Sequence, residues 1–219
     1  MTPFQEGPVR GFLHRPENGP APTGRGLVLT HGAGANCKAP LLVMLADAFC
    51  ADGWTVLRCD MAFRQHKPFG PPSPATSGND RAGLREAVGI MRKMVSGPVV
   101  LGGHSYGGRQ SSMLAAEQPD LVEALLLLSY PLHPPGKATQ PRTAHFPDLR
   151  TPALFVHGTS DPFGTTEEFT EALKMIPAKT ELIEATGAGH DLGGRKFGLT
   201  DRVIAALRAL IAPQPEHHS

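Results

Sequence analysis

The chain carries almost no excess charge of either sign: its 219 residues hold 21 Lys and Arg against 20 Asp and Glu. A summed field so close to zero gives no electrostatic footprint for a polyanion, so no nucleic-acid partner is expected. Cysteine is scarce as well. Cys37, Cys50 and Cys59 are odd in number and lack metal-type pairing, which suits a reducing compartment better than a disulfide framework. The opening residues, MTPFQEGPVRGFLHRPENGP, have neither the basic start nor the apolar stretch of a secretory signal, and no run approaches the length of a membrane span. A cytoplasmic chain with no membrane partner is the expectation. The phosphate-loop patterns G-x-G-x-x-G and G-x-x-x-x-G-K-[ST] are missing, and the ten histidines form neither H-x-x-x-H nor H-E-x-x-H. No nucleotide, metal or other cofactor is therefore expected.

What the chain does have is alternation. Apolar runs at Gly26–Thr30, Thr55–Cys59, Pro98–Gly102, Ala124–Ser129, Ala153–His157 and Thr180–Glu184 read as strands. Most lack an apolar/polar alternation, as strands of a parallel sheet covered on both faces do. Between them, Leu41–Ala51, Arg81–Met94, Arg109–Glu117, Thr166–Met175 and Asp201–Ile211 place apolar residues three and four apart, the helical period. The pattern predicts an α/β fold with a mostly parallel sheet and helices on both faces, whose ligands gather at the carboxyl ends of the strands. No linker or repeat divides the chain, so one domain over 1–219 is expected, with residues 1–20 and 213–219 loosely ordered. VRGFLHRP reads as an added edge strand, and HKPFGPPSPATSGND (66–80) as a long surface loop.

Chemistry concentrates where strands end. VVLGGHSYGGRQSSM crosses from a buried strand to a small-residue helix through Gly103-His104-Ser105-Tyr106-Gly107, a G-x-S-x-G match. The bare pattern is weak in a chain with 25 glycines; its position between strand and helix gives it weight. That context is the one a nucleophile elbow requires, and the helix behind it aims free N–H groups and a positive dipole end at the same spot. The plain alternative for Ser105 is a helix cap, which leaves the flanking glycines unexplained. A serine hydroxyl needs a base, and the base needs an orienting group. ATGAGHDLGG after the last strand offers His190, and FVHGTSDPFG after the preceding one offers Asp161. The strand before that runs into SYPLHPPGK, which has no carboxylate; Asp191 adjoins His190 but would point elsewhere, and Asp148 lies far from a strand end. For an oxyanion, the N–H of Tyr106 is one expected donor and Ala33, in THGAGAN, the other, with Gly34 as second choice. His31, His104 and His157 sit beside these turns and read as supports, and Cys37 as a packing thiol.

These segments, in the chain order Ser105, Asp161, His190, resemble the α/β-hydrolase family, and specifically its small members related to dienelactone hydrolase. GGHSYGGR followed by SYPLHPPGK is similar to a subgroup in which a Tyr-Pro-Leu-His-Pro-Pro-Gly segment follows the strand after the elbow; some eukaryotic relatives there serve in chromatin complexes. The resemblance implies an α/β-hydrolase fold, Ser105 as nucleophile, Asp161 as orienter, His190 as base, and Ala33 and Tyr106 as oxyanion donors. Dienelactone hydrolases proper carry cysteine at the elbow, so their substrate does not carry over to Ser105.

The interval from Pro131 to Thr151 is a Pro-rich loop with no room for a large cap domain, which predicts a shallow site. Phe63, Phe69, Leu132, His133 and Phe163 are the expected substrate contacts. Arg64, Lys67 and His133 read either as solvated loop charges or as groups meeting a substrate carboxylate. A small-molecule ester is the expected partner, turned over by a serine esterase; a thioesterase, lipase or peptidase would use the same groups, and a binding or scaffold protein would keep the fold without turnover.

Overall fold

A computed structural model describes residues 1–16, 24–193 and 198–212. Among them eight strands form one sheet: β1 (Thr2–Glu6), β2 (Val9–His14), β3 (Gly26–Thr30), β4 (Thr55–Cys59), β5 (Val99–His104), β6 (Ala124–Leu128), β7 (Ala153–Gly158) and β8 (Thr180–Ala185). The helices are α1 (Pro40–Ala51), α2 (Ala62–His66), α3 (Ser77–Met94), α4 (Tyr106–Glu117), α5 (Thr166–Leu173) and α6 (Leu199–Leu210). The sheet runs β1-β2-β4-β3-β5-β6-β7-β8, with β3 to β8 parallel and β1 and β2 antiparallel.

The apolar runs form strands because the pleat sends successive side chains to opposite faces and both faces are covered. Val99, Leu101, Leu125, Leu127, Ala153 and Phe155 join one core with Leu84, Val88 and Met91 of α3, Leu114 of α4 and Phe169 of α5. Val100, Leu126, Leu128, Leu154 and Val156 join the other with Leu42, Leu45 and Phe49 of α1 and Val203, Ile204 and Leu207 of α6. Local sequence sets the helix starts: Pro40 occupies the first turn of α1, and Thr165 and Glu168 close a capping box on α5.

All six expected strands and five expected helices are present, and three readings need correction. VRGFLHRP does not form the edge; β2 is the second strand, and β1 lies outside it. The first fourteen residues are therefore not loosely ordered, since this hairpin pairs through β2 with β4; the remainder of 17–20, with 213–219, lies outside the described residues. The supposed loop 66–80 is shortened at both ends by α2 and by the start of α3 at Ser77.

Strand order reverses between β3 and β5: β4 follows β3 on one side, and β5 to β8 follow on the other. A crevice opens at the carboxyl ends of strands at such a reversal. The turns after β3 and β5 face each other there.

Leu126 lies at the centre of the sheet with none of its side chain exposed. Leu126→Ala is expected to cost about 3 kcal/mol by leaving a cavity between β6 and its covering helices. Urea unfolding checks this; a loss under about 1 kcal/mol would mean the core collapses to fill the gap.

Candidate active site

The backbone at Ser105, between β5 and α4, turns sharply, with φ 52 and ψ −114. A non-glycine residue in this region is strained by roughly 1–3 kcal/mol, so the surroundings must hold it. The Ser105 N–H donates to Leu128 O of β6 at 2.8 Å, and Ser105 O accepts from Arg109 N–H at 3.0 Å. The flanking glycines are there because the chain folds back on itself: a Cβ on Gly103 would lie 2.6 Å from Gly108 N, and one on Gly107 would lie 2.6 Å from His31 O. No L side chain fits at either position without moving the backbone.

Three side chains distant in sequence meet at this turn. Ser105 Oγ lies 2.8 Å from His190 Nε2, and His190 Nδ1 lies 2.8 Å from Asp161 Oδ2. In the tautomer whose Nδ1–H donates to the carboxylate, Nε2 is the nitrogen that accepts from the hydroxyl. Asp161 is aimed by its own loop, its Oδ1 accepting from the Phe163 N–H at 3.0 Å. The carboxylate is fully buried, whereas the His190 side chain is 26% exposed, so one end of the chain is dry and the other is reached from solvent.

The His190 loop is fastened to the end of β7 and to the elbow. Ser160 N–H donates to Ala188 O at 2.9 Å, and Gly187 N–H donates to Thr159 Oγ1 at 2.8 Å. His104 Nε2–H donates to His190 O at 2.8 Å, and the Phe163 ring lies against the imidazole with centroids 4.3 Å apart. His157, under Asp161, donates Nε2–H to Gly164 O at 2.9 Å. Burial pushes the pKa of both His104 and His157 down, so each acts as a neutral donor.

Across the crevice, the β3 loop lies against the elbow. His31 Nδ1–H donates to Gly32 O at 2.8 Å, and its Nε2 accepts from the Met61 N–H at 3.1 Å, which defines a neutral tautomer that burial favours. Ala35 N–H also donates to Gly32 O, at 3.1 Å. The Tyr106 hydroxyl donates to Asp80 Oδ2 at 2.8 Å. Asp191, set aside from sequence, accepts from Gly193 N–H instead, and Asp148 lies in a short 3-10 turn at Phe146–Asp148. Burial pushes the Cys37 thiol up to about 12, as expected of a packing group.

The expected substrate contacts divide. Phe163 touches His190; Leu132 and His133 line an open groove of about 380 Å³ together with Glu167, Glu168 and Glu171. Phe69 is 85% exposed. Phe63 is buried, with its ring edge-on to His31 and Tyr106. Arg64 is neither solvated nor open to a ligand: it is buried, and its guanidinium donates to backbone carbonyls. The local sequence marked Arg64 only as a loop charge and did not mark the buried Asp80, because Ala33, Ala35 and Tyr106, which they bind, come from other segments.

A parallel sheet with a strained serine at a strand-to-helix turn, hydrogen-bonded to histidine and then to aspartate from later strand ends, defines a hydrolase class of architecture. The chain belongs to the alpha/beta hydrolase domain family, which residues 23–208 match. It is similar to a 2-(acetamidomethylene)succinate hydrolase of Mesorhizobium japonicum, at 30% identity over 106 residues; the match spans 48% of this chain and 35% of that protein. Its fold is that of an alpha-beta serine hydrolase homologue from Coxiella burnetii (TM-score 0.75, 21% identity, 94% and 98% of the two chains). It also matches a dienelactone hydrolase from Anabaena variabilis (TM-score 0.67, 20% identity, 90% and 88%). Among the described residues, no helix is long and apolar enough to cross a membrane.

The groove wall contains a charge pair whose sign predicts a pH effect. His133 Nδ1 lies 2.9 Å from Pro134 O and Nε2 lies 3.1 Å from Glu168 Oε2, so both nitrogens have acceptors and the imidazolium is favoured. These contacts raise His133 from its ordinary 6.5, the Pro134 carbonyl foremost; the Thr165 N–H and then His133 lower Glu168 from its ordinary 4.5. His133 therefore adds stability below 6.5 that is lost as pH rises through its raised value, and Glu168 adds stability above 4.5 that is lost as pH falls. The melting temperature of His133→Gln is expected to lie furthest below that of the parent near pH 5.5, with the gap narrowing toward about pH 9. A gap that widened with alkalinity would contradict the pairing.

Proposed function

We propose that the chain is a serine carboxylesterase acting on small, short-acyl esters through an acyl-enzyme. The observation that carries this reading is the continuous hydrogen-bonded path from Ser105 Oγ through His190 to Asp161, at 2.8 Å in each step. His190 Nε2 takes the Ser105 proton as Oγ attacks the ester carbonyl, and Asp161 steadies the imidazolium that forms. The Tyr106 N–H, at the positive end of α4, and the Ala33 N–H, with Gly34 second, stabilise the oxyanion. The alkoxide leaves with the proton held by His190. A water then loses a proton to His190, attacks the acyl-enzyme and releases the acid, restoring the free serine.

The short-acyl preference rests on the interval 129–152, where the only regular element among the described residues is the 3-10 turn Phe146–Asp148. A site whose covering segment is loop, with one face of α5 as its wall, offers little apolar length to a long acyl chain. The scarce cysteines, odd in number and without metal-type pairing, accord with a cytoplasmic location. A scaffold that kept the fold without turnover has no physical need for a strained serine and a buried carboxylate aimed through one imidazole.

A fluorophosphonate probe is expected to label the parent and not Ser105→Ala, read as a mass shift on the intact protein. Equal labelling of both, or none of folded parent, would end the esterase reading. Among p-nitrophenyl esters, acetate and butyrate are expected to give the highest kcat/KM, with Ser105→Ala or His190→Ala lowering it by about 10⁴-fold or more. A clear optimum at long chains would contradict the shallow site.

A further inference from the structure

Arg64 is a buried cation, only 7% exposed, with no carboxylate partner among the described residues. Burying a guanidinium is costly unless its donors are met, and here four hydrogen bonds go to main-chain carbonyls. Nη2 donates to Ala33 O at 2.5 Å and to Gly70 O at 3.1 Å, Nε to Ala35 O at 2.8 Å, and Nη1 to Lys67 O at 2.9 Å. The guanidinium carbon sits 4.8 Å from the centre of the Phe63 ring, whose face it covers. Two of the four carbonyls belong to the loop after β3.

The direction of those carbonyls determines where the N–H groups of the same loop point. In a trans peptide, C=O and N–H point in opposite directions. Gly32 O is occupied by His31 Nδ1–H and Ala35 N–H, so the Ala33 N–H of the same peptide faces the other way. Ala33 O is held by Arg64, so the Gly34 N–H faces away from the guanidinium. Two successive peptide planes are thus fixed from behind, in a loop so close to the elbow that a Cβ on Gly32 would lie 3.3 Å from the Ser105 Cβ.

The same short segment reaches the other side of the crevice. Phe63 N–H donates to Asp80 Oδ1 at 2.9 Å while Asp80 Oδ2 accepts from the Tyr106 hydroxyl, and Met61 N–H donates to His31. Residues 61–64 therefore tie the β3 loop and the first residue of α4 to one frame.

We propose that Arg64 is a positioning residue for the oxyanion site: its guanidinium fixes the Ala33–Gly34 peptide, next to the Gly32–Ala33 peptide held by His31 and Ala35, so that the N–H groups of this loop meet the oxygen that gains charge at Ser105. The inference rests on the serine-hydrolase reading above. Lysine cannot substitute, because one ammonium does not present a planar fork of donors to four separate carbonyls.

The test compares the parent with Arg64→Ala and Arg64→Lys, using p-nitrophenyl acetate as substrate and butylboronic acid as a mimic of the tetrahedral adduct. Loss of an aligned oxyanion donor costs about 10²- to 10³-fold in kcat, so a fall of that order is expected in both variants with KM within about threefold. Boronate affinity is expected to fall in parallel, and millimolar guanidinium to restore part of the kcat of Arg64→Ala. A merely structural role would lower the melting temperature and leave folded variants with normal kcat and boronate affinity, and that result overturns the proposal. A rise in KM alone overturns it too, because it places Arg64 in substrate binding. Where Arg64→Ala does not fold, Arg64→Lys carries the comparison. A parent that neither hydrolyses the ester nor binds the boronate sinks the hydrolase reading itself, a failure visible before any variant is made.

Discussion

The constraint on which the rest of the architecture depends is the reversal of the backbone at Ser105, where an L residue is held at φ 52. Strain of roughly 1–3 kcal/mol persists only where the surroundings over-determine it. Here β5 is hydrogen-bonded on both sides, to β3 and β6, right up to the turn, and α4 begins at the very next residue. Gly103, Gly107 and Gly108 let strand, helix and the β3 loop approach within backbone contact, since their missing Cβ atoms would each overlap main-chain atoms. The hydroxyl is presented because nothing else can occupy that corner.

Around this turn the protein fixes its loops through their carbonyl groups. His31 holds Gly32 O, His104 holds His190 O, His157 holds Gly164 O, and Arg64 holds Ala33 O and Ala35 O. Three of these four side chains are imidazoles whose pKa is pushed down, first of all by burial. They therefore act as neutral dipoles near neutral pH and add no charge next to His190. This division matters for the proposed chemistry. A cation in the position of His104, whose ring centroid is 5.0 Å from that of His190, would oppose formation of an imidazolium there. The one permanent charge in the set, Arg64, sits on the far side of the β3 loop, where it grips carbonyl oxygens.

Much of this was legible in the sequence for a local reason. Strands β3 to β7 are mostly apolar and buried on both faces, and Ser105, Asp161 and His190 each lie in the turn after a strand, so topology brings them to one edge without any knowledge of packing. What was not legible depends on contacts between distant segments. Thr2–Glu6 is largely exposed and has no apolar signature; it is a strand because β2 pairs with it. Arg64 looks like a loop charge in AFRQH and becomes a structural cation only when the β3 loop turns its carbonyls toward it. Phe63 reads as a mouth residue by position, yet the N–H of the same residue is held by Asp80, seventeen positions away, and the ring faces inward.

The wall beyond the histidine shows how a site without a helical cover keeps its shape. His133 N–H donates to Phe163 O at 3.2 Å, so the proline-rich segment after β6 is tied to the residue whose ring lies on His190. Its imidazole pairs with Glu168, which also caps the start of α5 by accepting from the Thr165 N–H at 2.7 Å. One carboxylate thereby joins a helix cap, the groove wall and, through Phe163, the base. Phe163 N–H also donates to Asp161 Oδ1, so one residue contacts the 131–143 segment, the carboxylate and the imidazole. The groove wall and the Ser105–His190–Asp161 path are consequently joined by main-chain and side-chain contacts that meet at Phe163.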